Sequence, residues 1–187
     1  NNKVFGILRK KTNNTLHYAD PYEIYKSISN YYKIHLKNLT IGFGATDILY
    51  RITKILDVKN YYVLNPTFEV FEVYCKLNFK KFKRIKKSEI YSKRRKDSAL
   101  YVVNPNGVDG SVFKLDKKIL SLYKYIIIDE VYADFYPKYS LLKNGNSKLI
   151  IVKSLSKSLG IAGVRIGFCK ASSKITKKLQ TVRLSQI

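Results

Sequence analysis

Four short apolar runs, Tyr61 to Leu64, Leu100 to Val103, Ile126 to Ile128 and Leu149 to Val152, lack the polar alternation of a half-exposed strand. Strands that bury both faces read this way, and they belong to mainly parallel sheets covered by helices on both sides. The stretches between them carry helix patterns, at Ala45 to Leu56, Phe68 to Lys76 and Lys114 to Leu122. A further amphipathic stretch, Tyr22 to Ile34, precedes the sheet, and Ser172 to Val182 reads as a helix at the far end. The fold class is therefore α/β, a three-layer α/β/α sandwich with a mainly parallel sheet. Residues 1–187 form a single domain on this reading, with 1–36 as an N-terminal segment and helix and 37–187 as the sheet core.

Each apolar run stops at a polar side chain: Asn65, Asn104, Asp129, and Ser154 just beyond the fourth run. In open parallel sheets, ligands bind in the crevice outside the carboxyl ends of the strands, so these residues should converge on one site. Gly42-Phe43-Gly44-Ala45-Thr46-Asp47 leads straight into a helix pattern. Such a turn aims backbone N–H groups, here those of Ala45 and Thr46, at an anion, aided by the helix dipole. It lacks the third glycine of a dinucleotide fingerprint, which would fall at Asp47, and no GxxxxGK[ST] phosphate loop occurs. An ordinary capped helix start is the plain alternative.

Asp129 ends a buried strand, where a carboxylate needs either a cationic partner or local N–H donors. Lys157 lies between Ser156 and Ser158, after a buried strand and before the glycine-rich stretch Gly160 to Gly167. In a chain with 29 lysines a single one usually lies on the surface. A lysine held among cationic or apolar groups, by contrast, loses its proton more readily and can attack a carbonyl to form a Schiff base.

Charge enters at this point. Against 13 acidic residues stand 36 Lys and Arg, a formal net charge of +23. The basic cluster Phe79 to Lys96, with Lys80, Lys81, Phe82, Lys83 and Arg84, could neutralise phosphates of a nucleic acid. The joint richness in Lys, Asn, Ile and Tyr favours the plainer account of codon bias in an AT-rich genome, with lysines on a solvated surface. A positive field would also steer a small anionic substrate. No run of 18 apolar residues and no signal-peptide pattern occurs, so a cytoplasmic protein is expected and no membrane partner. Cys75 and Cys169, set among apolar neighbours, read as reduced buried thiols, and no metal site is expected. Methionine is absent even at position 1, which suggests an internal piece of a longer chain.

Taken together, Pro66-Thr67-Phe68, Asn104-Pro105-Asn106-Gly107, Asp129-Glu130-Val131-Tyr132 and Ser154-Leu155-Ser156-Lys157 with Arg165 eight residues on resemble the motifs of fold type I, class I/II pyridoxal-phosphate aminotransferases. With Tyr18-Ala19-Asp20 and Gly44-Ala45-Thr46-Asp47 the order is most similar to the subgroup of histidinol-phosphate aminotransferases and threonine-phosphate decarboxylases. The resemblance covers about Leu16 to Arg183. It implies the large domain of a transferase using pyridoxal 5'-phosphate, with Lys157 carrying the Schiff base and moving the proton. It implies that Asp129 pairs with the pyridinium nitrogen, that Asn104 and Tyr132 hydrogen-bond the cofactor 3'-oxygen, and that Phe68 stacks on the ring. The phosphate would be held by the amides of Ala45 and Thr46, the hydroxyls of Ser154 and Ser156, and Arg165. Tyr18 would reach the phosphate of a neighbouring subunit, which implies a homodimer.

The implied reaction is amino transfer between an amino acid or amino-alkyl phosphate and a 2-oxo acid, within amino-acid biosynthesis. The alternatives are a decarboxylase on the same cofactor and a non-catalytic basic module for RNA or another polyanion. Relatives continue into a smaller C-terminal domain that this chain is expected to lack. The segment Asn104 to Gly110 lacks the second asparagine-proline pair usual in the nearest subgroup.

Overall fold

The computed structural model describes residues 21–92 and 94–183. Seven strands form one sheet: β1 (Leu39–Phe43), β2 (Asn60–Leu64), β3 (Lys81–Ile85), β4 (Arg95–Val103), β5 (Tyr123–Asp129), β6 (Leu149–Ser154) and β7 (Ile166–Lys170). Their spatial order is β1-β7-β6-β5-β4-β2-β3. Every neighbouring pair is parallel except those made by β7, which runs antiparallel to both β6 and β1.

The helices are α1 (Pro21–Tyr32), α2 (Gly44–Ile55), α3 (Val70–Leu77), α4 (Lys117–Leu122), α5 (Leu155–Ser158) and α6 (Ser173–Thr181). Alternate strand residues feed two separate cores, as a sheet buried on both faces requires. On one face Tyr101, Val103, Ile127, Ile150 and Val152 pack with Ile48 and Ile52 of α2, Phe71 and Cys75 of α3, and Leu179 of α6. On the other, Leu100, Val102, Ile126, Ile128 and Ile151 pack with Ile28 of α1 and Ile119 of α4. The three-layer α/β/α arrangement expected from the apolar runs is thus present.

Three strands escaped the sequence pattern. β3 is an outer strand whose lysines face solvent, β1 is short and followed at once by a helix, and β7 hides in a glycine-rich stretch. Helix starts also move. Phe68 lies ahead of α3, and α4 begins only at Lys117, because the Asp116 side chain caps it by accepting from Ile119 N at 2.7 Å. Within the basic cluster, Arg84 is paired with Glu72 at 2.6 and 3.0 Å, and the Arg95 guanidinium lies 4.1 Å from the Tyr62 ring centroid. Both are engaged within the fold. Cys75 and Cys169 are free and buried, and burial pushes each thiol up to about 12. No helix among the described residues is long and apolar enough to cross a membrane.

β7 approaches α2 closely enough to require glycine. A Cβ on Gly167 would collide with the Gly44 carbonyl carbon and the Ala45 nitrogen, both backbone atoms that cannot rotate away. Gly167→Ala should therefore cost about 1–3 kcal/mol through displacement of β7 from α2. Gly163→Ala, where nothing lies within 4 Å, should leave the denaturation midpoint near that of the parent. Equal midpoints for the two variants would contradict the close approach.

Candidate active site

The carboxyl ends of β4, β5 and β6 lie side by side, with Val103 paired to Asp129 and Asp129 to Val152. Backbone bonds continue past the strand ends, Asn104 N to Asp129 O at 2.8 Å and Glu130 N to Val152 O at 2.7 Å. The polar residues that stop the apolar runs are therefore brought onto one rim by sheet register.

Asp129 is the central charge of that rim. Its Oδ2 accepts from the Tyr101 hydroxyl at 2.9 Å and its Oδ1 from Val131 N at 3.2 Å. It forms no ion pair among the described residues within 4 Å. Burial raises the carboxyl to about 6; the Tyr101 and Val131 hydrogen bonds lower it and nearby Glu130 raises it further. A carboxylate so placed has local donors yet remains without a cation, and a protonated ring nitrogen would supply one.

The turn before α2 makes the second part of the site. Gly44 has φ +76°, and a Cβ there would lie 2.8 Å from Arg165 Nη2. Arg165, at φ 55°, donates from Nη1 to Ala162 O at 3.2 Å and from Nη2 to Thr46 Oγ1 at 3.5 Å. Asp47 accepts from Phe43 N at 3.0 Å and from Arg51 Nη2 at 2.7 Å, which pins the first turn of α2 to the end of β1. Ser154 Oγ caps α5 by accepting from Ser156 N at 3.2 Å. Ser156 Oγ is buried without a hydrogen-bond partner among the described residues. Amides at a helix start, an arginine laid across a glycine and an orphaned hydroxyl together suit a phosphate group.

Lys157 sits in α5 with its side chain exposed, and its Nζ is 5.9 Å from the centroid of the Tyr132 ring. That ring lies directly against Gly107, where a Cβ would collide with it. The lysine that the fold encloses is instead Lys153, whose Nζ reaches Asp134 Oδ1 at 2.6 Å and Glu130 Oε2 at 3.8 Å. Asp134 Oδ2 also accepts from Tyr32 at 2.9 Å and from Ser158 at 3.0 Å, so this buried cluster fastens α1 and α5 to the end of β6.

Asn104 is fully buried, its Nδ2 donating to Tyr139 O at 2.9 Å and its Oδ1 accepting from Phe113 N at 3.0 Å. Both ends of its amide are engaged by backbone, which ties the rim to two loops and leaves one N–H and one lone pair over. Phe68 is 51% exposed and makes no ring contact among the described residues. Tyr18 lies outside the described residues. Tyr101, by contrast, was not singled out in the sequence, although a tyrosine inside a buried strand is bound to need a partner for its hydroxyl.

Residues 8–186 match the family described as Aminotransferase class I and II. A histidinol-phosphate aminotransferase of Clostridium botulinum (strain 657 / Type Ba4) is 30% identical over 200 residues, covering 98% of this chain and 56% of its own length. The chain thus spans about half the length of the curated relatives it matches. Among solved structures, histidinol-phosphate aminotransferase of Sinorhizobium meliloti in complex with pyridoxal-5'-phosphate superposes with TM-score 0.82 at 18% identity. That match covers 96% of this chain and 55% of the other. L-threonine-O-3-phosphate decarboxylase of Porphyromonas gingivalis gives TM-score 0.83 at 19% identity, over 97% of this chain and 59% of that one.

The raised Asp129 carboxyl has a definite thermodynamic sign. Its folded value, about 6, exceeds the ordinary 3.8, so the native state binds the extra proton between those limits and the charged form destabilises the fold above them. Asp129→Asn should therefore be more stable than the parent at pH 7.5, by up to about 3 kcal/mol, with the difference shrinking toward pH 4. Glu130, raised in the same direction by burial, should leave part of the pH dependence in the variant. A stability difference constant from pH 4 to 7.5 would contradict this assignment.

Proposed function

The chain belongs to the class I and II aminotransferase family, and on that premise we propose that it holds pyridoxal 5'-phosphate along the rim of β4, β5 and β6 to carry out amino transfer. The observation that carries this reading is Asp129, a buried carboxylate with no cation paired to it among the described residues, on the same rim as Lys157 and the anion cradle before α2. When bound, the cofactor supplies an electron sink for charge developing at a substrate α-carbon.

The residues divide the remaining work. Asp129 holds the proton on the ring nitrogen, which a buried anion favours strongly. The amides of Ala45 and Thr46, the hydroxyls of Ser154 and Ser156 and the guanidinium of Arg165 bind the phosphate and fix the cofactor's position. Lys157 Nζ would be the group that holds the cofactor, and its amine could move a proton to and from the substrate α-carbon. Tyr132, next to Lys157, offers its hydroxyl to the cofactor's 3'-oxygen, and exposed Phe68 is available to cover a ring face. Asn104, fixed in place by the rim loops, would share that 3'-oxygen with Tyr132.

The relatives' names support an amino-alkyl phosphate of the histidinol-phosphate kind or an amino acid as the proposed donor, with a 2-oxo acid as the proposed acceptor. A homodimer, with Tyr18 reaching a neighbouring subunit's phosphate, belongs to the same proposal.

Pyridoxal phosphate added to the chain should produce a near-visible absorption band, and borohydride reduction followed by peptide mapping should place the label on Lys157. Lys157→Ala should abolish both the band and the specific label. Label scattered over surface lysines would overturn the cofactor site. Polyanion affinity that falls steeply between low and physiological salt and survives Lys157→Ala would favour the basic-module reading. Release of CO2 from an amino-acid phosphate, without amino transfer, would replace the transaminase by a decarboxylase.

A further inference from the structure

Below the rim, one buried hydroxyl belongs to no step described so far. Tyr101, two residues from the carboxyl end of β4, is 1% exposed and donates to Asp129 Oδ2 at 2.9 Å across the strand pair. Its ring is held rather than loosely packed. Phe71 stacks on it at 3.9 Å with the two planes 1° apart, and Tyr61 meets Phe71 edge-on at 5.5 Å. The hydroxyl therefore has little freedom to turn toward another acceptor. Asp129 Oδ1 is fixed separately by Val131 N at 3.2 Å, so the carboxylate plane is set at two points. Each oxygen keeps a further lone pair for a ligand.

We propose that Tyr101 is a positioning residue for the cofactor's ring nitrogen: it acts through Asp129, fixing the carboxylate's orientation and favouring its charged form. This inference rests on the reading that Asp129 faces that nitrogen. The surroundings make Tyr101 a permanent donor. Burial, together with the Asp129 charge and the nearby Tyr74 and Cys75 of α3, holds the phenol well above its ordinary value, so it keeps its proton wherever the protein is folded. The other charged groups close by are occupied. Glu130 accepts from Ser140 and Leu141 N at 2.5 Å each, and Lys153 is paired with Asp134 and Glu130. Tyr101 is thus the side-chain donor to Asp129 among the described residues, and the Val131 amide is the backbone one.

Tyr101→Phe removes one oxygen and retains the ring that stacks on Phe71. Two titrations test it. In the protein without cofactor, carbon-13 carboxyl resonances assigned by comparison with Asp129→Asn should show Asp129 titrating with a midpoint about one to two pH units higher in Tyr101→Phe than in the parent. With pyridoxal phosphate added, the dissociation constant measured from pH 5 to 9 should be at least about tenfold weaker at pH 7 in the variant. Its loss of binding on acidification should also begin at higher pH.

In the Asp129→Asn background, Tyr101→Phe should produce no further change in the pH profile, because the acceptor charge through which it acts is gone. A general packing defect would add to the Asp129→Asn effect and leave the carboxyl midpoint in place. An unshifted Asp129 midpoint, or an unchanged binding profile in Tyr101→Phe while Asp129→Asn binds more weakly, overturns the Tyr101 role alone. Full-strength binding by Asp129→Asn overturns the Asp129 reading and this inference with it.

Discussion

Backbone lies against backbone where Gly167 of β7 meets the Gly44–Ala45 peptide at the start of α2, and the geometry of the rim descends from that contact. It brings the first turn of a helix level with the ends of strands that enter the sheet much later in the chain. It also brings Arg165, two residues ahead of Gly167, across to Gly44 and Thr46. Arg51 secures the far side of the same helix: buried, it donates to Ile41 O at 3.0 Å and Leu179 O at 3.3 Å and pairs with Asp47. Loosening either contact would move the anion cradle relative to Asp129 without touching a residue that binds anything.

The central strands were legible because a strand buried on both faces has only one plausible spelling, and Leu100 to Val103, Ile126 to Ile128 and Leu149 to Val152 have it. β3 was not, because its lysines carry no apolar run and its burial is confined to Phe82 and Ile85. β7 was obscured by its glycine, whose reason is a contact with a segment more than 100 residues earlier in the chain. The motif residues were found by type and order, and the rim does gather Asp129, Ser154, Ser156 and Lys157. What a single chain of letters cannot tell is which side chains are already engaged. Asn104 looks available in the sequence and is used by Tyr139 and Phe113, whereas Tyr101 looks like core and carries a polar contact.

The sheet separates two kinds of charge. Tyr101 and Asp129 face the layer built from α2, α3 and α6, where the carboxylate has hydrogen bonds but no ion pair among the described residues. Lys153 points the other way, under the Tyr32 ring at 5.5 Å, in a cluster where positive and negative groups answer one another. Breaking one partner of such a buried pair costs more than the pair itself contributes, so this cluster serves to fix α1 and α5 in place. Two lysines only four residues apart in sequence, Lys153 and Lys157, are thereby given unlike environments, one enclosed as a counter-ion and one exposed beside Tyr132.

The lysines of β3 have a bearing on how copies of this chain meet. An outer strand offers unpaired N–H and C=O groups to any passing strand, the route by which sheets grow into fibrils. Lys81 and Lys83 are exposed on that border, so a second copy arriving edge-first in the same way would bring like charges together at strand spacing. The basic cluster that suggests a docking surface for polyanions also acts as a fence against its own kind, and mutating those lysines to threonine or valine would open a gate to aggregation.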